Sequence, residues 1–168
     1  MTYAVPTTAE IVALRGLGRG VDERWCAWAI SLLEKGIDTP SLSVLAGEKP
    51  PYNQFELGEL VDRVLAELGI SKYSRVGDAA VAYASVRTRH LLSGCDTPDA
   101  VLSELGALCS EMNYPDEIHD FYLLHWALDD LKHDTMCYHW PDADRDNIHQ
   151  IIRSYCQNWL KKYPVPDL

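Results

Sequence analysis

The stretch Glu56-Leu57-Gly58-Glu59-Leu60-Val61-Asp62-Arg63-Val64-Leu65-Ala66-Glu67-Leu68-Gly69 decides the fold. Leu57, Leu60, Val61, Val64 and Leu68 recur at three- and four-residue steps, the spacing of one helical face. Glu56, Glu59, Asp62, Arg63 and Glu67 take the other face, and Glu59 and Arg63 are four apart, as a helical ion pair requires. Gly69 closes the segment. Helical patterns of this kind recur along the chain, and strand patterns are scarce.

Upstream, Lys49-Pro50-Pro51-Tyr52-Asn53 is a rigid connector. Before it, Thr39-Pro40 starts a short helix with Leu42, Val44 and Leu45, stopped by Gly47. Asp22 starts another with Trp25, Cys26, Trp28, Ala29, Leu32 and Leu33, and Gly36 ends it as a left-handed cap. Thr7 or Thr8 caps the first helix, which turns Ile11 and Leu14 inward. Arg15-Gly16-Leu17-Gly18-Arg19-Gly20 has the glycine spacing of a phosphate loop. No strand precedes it and no Gly-Lys-Ser/Thr follows, so it reads as a flexible connection.

Downstream, Asp78 begins a fifth helix through Val81, Tyr83, Ala84, Val86 and Leu91, ending at Gly94. Gly94-Cys95-Asp96-Thr97-Pro98 then repeats Gly36-Ile37-Asp38-Thr39-Pro40, 58 residues on. Each puts proline at a first helical position. A duplicated helix pair would produce this, and so would convergence on good capping chemistry. The sixth helix carries Val101, Leu102, Leu105, Leu108, Cys109 and Met112, and Asn113-Tyr114-Pro115 breaks it. Asp116 and Glu117 suit the N-terminus of a seventh. Its middle, Phe121-Tyr122-Leu123-Leu124-His125-Trp126-Ala127-Leu128, is apolar almost all round and predicts a helix buried on most sides. A polar, aromatic-rich loop over 133–142 leads to a last helix over 143–162. That helix buries Ile148, Ile151, Ile152, Tyr155 and Trp159 and ends in Lys161-Lys162. The expectation is an all-α chain of about eight helices in one domain, 1–168, packed as an irregular bundle or a short helical-repeat stack.

A chain of 168 residues buries roughly 70% of its unfolded surface and needs neither metal nor disulfide to fold. The five cysteines, Cys26, Cys95, Cys109, Cys137 and Cys156, form no Cys-x-x-Cys pair, which points to reduced thiols in the cytoplasm. Cys26, Cys109 and Cys156 fall on helical patterns as small core residues. No apolar run approaches a membrane span. Met1-Thr2-Tyr3-Ala4-Val5-Pro6 lacks the basic and apolar regions of a signal peptide.

The net charge is −10, unevenly spread. Residues 1–90 hold 10 Lys/Arg and 11 Asp/Glu, whereas 91–168 hold 5 and 14. This disfavours nucleic acid and anionic membrane as partners and favours a protein with a basic surface. A solvated acidic face that maintains solubility is the plain alternative.

Five of the six histidines lie between 119 and 149. His125, Asp129 and His133 are spaced by four, so a metal-dependent hydrolase using them is one alternative. Neither His-Glu-x-x-His nor Glu-x-x-His occurs there, and His125 also falls on the apolar stripe with Ile118, Phe121, Tyr122 and Leu128. Asp142, Asp144 and Asp146 imitate the start of a calcium loop. The imitation fails at Asn147, where glycine is required, and at Arg153, where a glutamate is required. Cys137 and His139 are close in sequence without being a dyad, and no Gly-x-Ser-x-Gly elbow exists. No cofactor is implied.

Asp129, Asp130 and Asp134 break a local rule, because acids are unfavourable near the negative end of a helix. Trp126, Tyr138, His139 and Trp140 surround them. Aromatics rimmed by acids suit the grip of a basic protein. The candidate contact set is Asp129, Asp130, Asp134, Tyr138, Trp140, Asp142 and Asp144.

In size, acidity, lack of a catalytic motif and possession of an acidic-aromatic face, the chain resembles the small helical immunity proteins encoded beside bacterial polymorphic toxins. The resemblance is one of type and transfers no residue role. It implies a cytoplasmic antitoxin that binds a cognate toxin and blocks its active site or substrate groove. A non-catalytic helical scaffold is the remaining alternative.

Overall fold

The computed structural model describes residues 4–168, and among these the chain is all-helical. The reading of Met1-Thr2-Tyr3 as part of a leaderless N-terminus lies outside the described residues. Eight helices follow one another: α1 (Thr8–Gly16), α2 (Glu23–Glu34), α3 (Pro40–Gly47), α4 (Gln54–Glu67), α5 (Val76–Ser93), α6 (Pro98–Glu111), α7 (Asp116–His133) and α8 (Ile148–Lys162). No helix is long and apolar enough to cross a membrane among the described residues. The chain divides into two compact units, one of residues up to Ala79 with Asp167 and Leu168, the other Ala80–Pro166. The division falls inside α5.

In the first unit α2 packs on α3, α3 on α4, and α1 on α2. Trp25 and Trp28 are fully buried, and the Trp28 indole donates to Thr8 Oγ1 at 3.1 Å. Each helix start has a capping oxygen: Thr7 for α1, Asp22 for α2, Thr39 for α3 and Asn53 for α4. Glu67 reaches from the end of α4 to the start of α3, where it accepts from the Ser41 backbone N–H at 3.0 Å and the Ser41 hydroxyl at 2.7 Å. Outside the core, Arg15 forks onto Asp62 at 2.8 and 3.1 Å. The Arg15 hydrogen bond, opposed by partial burial and aided by Lys72, holds the Asp62 carboxyl below its ordinary value. Of the apolar residues read onto the short α3, Leu42 and Leu45 are buried and Val44 is exposed.

In the second unit α6 packs extensively on α7, and α7 contacts α8. Val101, Leu102, Leu105 and Cys109 of α6 are fully buried, as are Phe121, Leu124 and Ala127 of α7. Phe121 meets Tyr155 and Trp159 edge-on at 5.4 and 4.8 Å. The Trp159 indole donates to Ser85 Oγ at 3.2 Å, and Ser85 donates to the Tyr163 carbonyl at 2.7 Å.

The two Thr-Pro starts use the same chemistry. Gly36 and Gly94 are left-handed at φ +82° and +78°, and Thr39 and Thr97 accept from the backbone N–H of Leu42 and Ala100. The lengths then diverge, since α3 has 8 residues and α6 has 14.

Two expectations shift. Helix α5 begins at Val76, two residues before Asp78. Helix α8 begins at Ile148 rather than Ala143, because Asp144 turns its side chain onto the following backbone and holds 144–147 as turns. Helix α7 is fully buried on one face, Ile118, Phe121, Leu124, Ala127, Leu128 and Leu131, and half-buried around the rest of its middle, where only Trp126 is exposed.

Candidate binding surface

The face of α7 away from the core, open at Trp126 and His133 and half-buried between, carries His119, Tyr122, Trp126, Asp129, Asp130 and His133, again at three- and four-residue steps. The rings form a continuous row. Tyr114 meets Tyr122 at 5.1 Å, Tyr122 meets Trp126 at 6.3 Å, and Trp126 meets His139 of the following loop at 6.1 Å. His119 stacks on Tyr122 at 6.0 Å. Trp126 is 37% exposed and Tyr114 44%.

Tyr114 begins this row in a costly conformation. Asn113 and Tyr114 are both left-handed, at φ +62° and +57°. A bulky residue there costs about 1–3 kcal/mol and persists only where its surroundings enforce it. Here the Tyr114 N–H donates to the Cys109 carbonyl at 2.8 Å, its hydroxyl lies 3.2 Å from Ser110 Oγ, and its ring packs on Tyr122. Glycine would remove the strain and also the ring.

The acids at the end of α7 serve the loop. Asp130 Oδ2 accepts from the Tyr138 N–H at 2.9 Å, the His139 N–H at 3.1 Å and His139 Nδ1 at 2.9 Å. Asp134 accepts from the backbone N–H of Thr135 and Met136 and from the Tyr138 hydroxyl. Arg145 donates to the Leu131 and Asp134 carbonyls at 2.8 and 2.9 Å, placing a cation where the helix end needs one. The broken rule at this helix end therefore has a structural cause: the carboxylates gather loop donors while Arg145 answers the dipole.

The candidate contact residues separate accordingly. Asp130, with a 14% exposed side chain, Asp134 and Asp144 hold backbone, and Asp144 also accepts from Asp146 and Asn147. Asp129 and Asp142 have accessible carboxylates. Tyr138 is 64% exposed, and Trp140 is half-buried edge-on to Tyr155 at 6.1 Å. Tyr114, His119 and Tyr122 were not among the expected contacts. The signal was present in the four-residue step from Tyr122 to Trp126 on the side away from Phe121 and Leu128, but Tyr122 counts as core when the whole helix is taken as buried.

Of His125, Asp129 and His133 the structure brings together only the last two, with His133 Nδ1 3.8 Å from Asp129 Oδ2. His125 lies against Gly106 of α6 and against the Trp126 ring at 5.0 Å. His133 Nδ1 lies 3.0 Å from the carbonyl of Asp129, on an exposed turn. Among the described residues no group of three or more His, Cys, Asp or Glu side chains is placed to hold a metal ion. All five cysteines are free thiols, and Cys26, Cys109 and Cys156 are buried, as expected. The chain matches no protein-family model, no curated protein and no solved structure.

Burial works to raise the Asp130 carboxyl, but the His139 side chain and the backbone N–H groups of His139 and Tyr138 hold it below its ordinary value. Asp134 is depressed chiefly by the Thr135 and Met136 N–H groups. A depressed carboxyl contributes stability above its unfolded value, and that contribution is lost as pH falls through the folded one. The loop therefore stays clamped through the ordinary range of aspartate titration and loosens only as pH falls below it. Asp130→Ala strands three donors and should cost about 2–3 kcal/mol. Amide hydrogen exchange of Tyr138 and His139 measures it, and unchanged protection in the variant would show that Asp130 does not hold the loop.

Proposed function

We propose that this chain is a cytoplasmic immunity protein that binds a toxin domain of basic surface and neutralises it. The ring row on the open face of α7 carries this reading: it is a contiguous, half-exposed aromatic strip beside the accessible carboxylate of Asp129, anchored by a strained Tyr114. Aromatic side chains supply most of the binding energy in compact interfaces. The acidity of residues 91–168 speeds the encounter with a basic partner. Asp130 and Asp134 contribute by fixing the loop that presents His139 and Tyr138.

The test is cell survival when the gene adjacent to this one is induced, with and without this chain. Rescue by the chain, lost on Trp126→Ala or Tyr114→Gly at unchanged protein level, is the expected result. Two ring contacts of about 1–2 kcal/mol each would weaken the complex roughly thirty- to a thousandfold when removed together. A harmless neighbour, or one that kills in the presence of the chain, would rule the antitoxin role out.

A further inference from the structure

The contact between Asp130 and His139 fixes more than the path of a loop. Asp130 Oδ2 lies 2.9 Å from His139 Nδ1. The Asp130 carboxyl is held below its ordinary value, so near neutral pH it is an anion that only accepts. A neutral imidazole carries one proton, and this contact requires that proton on Nδ1. Nε2 is then a bare acceptor. A free histidine side chain prefers the opposite arrangement, with its proton on Nε2, so the carboxylate reverses the ordinary tautomer.

That lone pair is accessible. Nε2 makes no hydrogen bond among the described residues, and the buried side-chain nitrogen and oxygen atoms left without a partner there are Trp25 Nε1 and Thr88 Oγ1. The His139 side chain is 37% exposed. The ring is also fixed in place: the oxygen that holds Nδ1 accepts from the His139 backbone N–H at 3.1 Å, and the Trp126 ring lies 6.1 Å away. A side chain held in this way loses little freedom when it takes a partner.

The chemistry of the atom selects its complement. A carboxylate on one ring nitrogen raises the basicity of the other, which strengthens it towards hydrogen-bond donors, charged ones most. The same lone pair repels carboxylates and other pure acceptors. A metal ion fits less well, because among the described residues no group of three or more ligating side chains is placed to hold one.

We infer that Asp130 is a positioning residue that locks His139 in its Nδ1–H form, and that the exposed Nε2 accepts a hydrogen bond from a side-chain donor of the partner protein. The inference rests on the protein-binding reading above and names the atom through which the clamped loop reads that partner.

The lock is read in the whole isotope-labelled chain, without partner, from the imidazole nitrogen resonances in mildly alkaline buffer. The expected result is a protonated Nδ1 and a bare Nε2 at His139, with that preference lost in Asp130→Ala. His90 is the internal control: its Nδ1 lies 2.9 Å from Arg87 Nη1, a donor, so it should show the opposite tautomer. The donor contact is read with His139→Asn, whose side-chain amide replaces the Nδ1–H toward Asp130 and places nothing at Nε2. This variant should keep the amide protection of Tyr138 and bind the protein encoded by the adjacent gene at least about tenfold more weakly. A bare Nδ1 or an even mixture of tautomers at His139 in the native chain would overturn the inference and leave the antitoxin role standing. Native affinity of His139→Asn would overturn the donor contact. A neighbour that does not bind the native chain would remove the antitoxin role and the donor contact together.

Discussion

Replacing Phe121 by alanine should destabilise the 80–166 unit by about 3–5 kcal/mol, the cost of truncating a fully buried aromatic. The ring stands on the core face of α7, edge-on to Tyr155 and Trp159. Its removal leaves a void bordered by two large rings that cannot both move in, because the Trp159 indole is tied to Ser85 and the Tyr155 ring also abuts Trp140. Edge-to-face contacts add about 0.5–1.5 kcal/mol each beyond the buried area, which places the expected value in the upper part of the range. Urea denaturation followed by tryptophan fluorescence measures it, since Trp159 lies 4.8 Å from the deleted ring. Phe121→Leu should recover at least half of the loss. A cost under about 1 kcal/mol would mean that α7 and α8 do not pack through this contact.

Arg87→Ala should cost about 2–4 kcal/mol. The Arg87 side chain, 13% exposed, donates through Nε to Glu104 at 2.8 Å and through Nη1 to Asp96 at 2.8 Å, with His90 Nδ1 at 2.9 Å from the same Nη1. The Tyr83 hydroxyl donates to the other oxygen of Glu104. One guanidinium thus ties α5 to the middle of α6 and to the turn before Thr97. Burial works against the charged form of Arg87, but Glu104, Tyr83 and Asp96 outweigh it and raise its affinity for the proton. Glu104 and Asp96 are partly exposed and rehydrate in the variant, which keeps the loss below that of a fully buried pair. Lysine should recover little, because a single ammonium does not reach two carboxylates in fork geometry. Equal stability of Arg87→Lys and the native chain in urea would show that charge rather than geometry matters here.

These two residues were not equally legible in the sequence. Phe121 falls on a stripe with Ile118, Leu124 and Leu128, and side-chain spacing alone assigns it to the core. Arg87 gives no local signal. Its partners are 9 and 17 residues away, and only the packing of α5 against the turn and α6 brings them within reach. The same contrast runs through the candidate surface. The aromatic-acidic composition of 126–144 was visible at once, but composition could not separate carboxylates that face a partner from carboxylates that hold a loop. Asp130 and Asp134 look identical to Asp129 in sequence. They differ in which backbone N–H groups the loop 134–147 delivers to them.

By itself the sequence determined the all-helical class, a number of about eight helices, most of their ends and most of the core, because capping and three-to-four-residue periodicity are local properties written into neighbouring residues. It determined the acidity of residues 91–168 for the same reason. The tertiary structure alone decided which side of α7 is open. Helix α6 and helix α8 each cover part of its apolar surface, and the remainder, with Tyr122 and Trp126, is left outside. It alone decided that Tyr114 is held left-handed against Tyr122, that His139 is carried to Trp126, and that His125 does not join Asp129 and His133. Each of these depends on contacts between residues distant along the chain or on the path of a loop, and no local pattern encodes them.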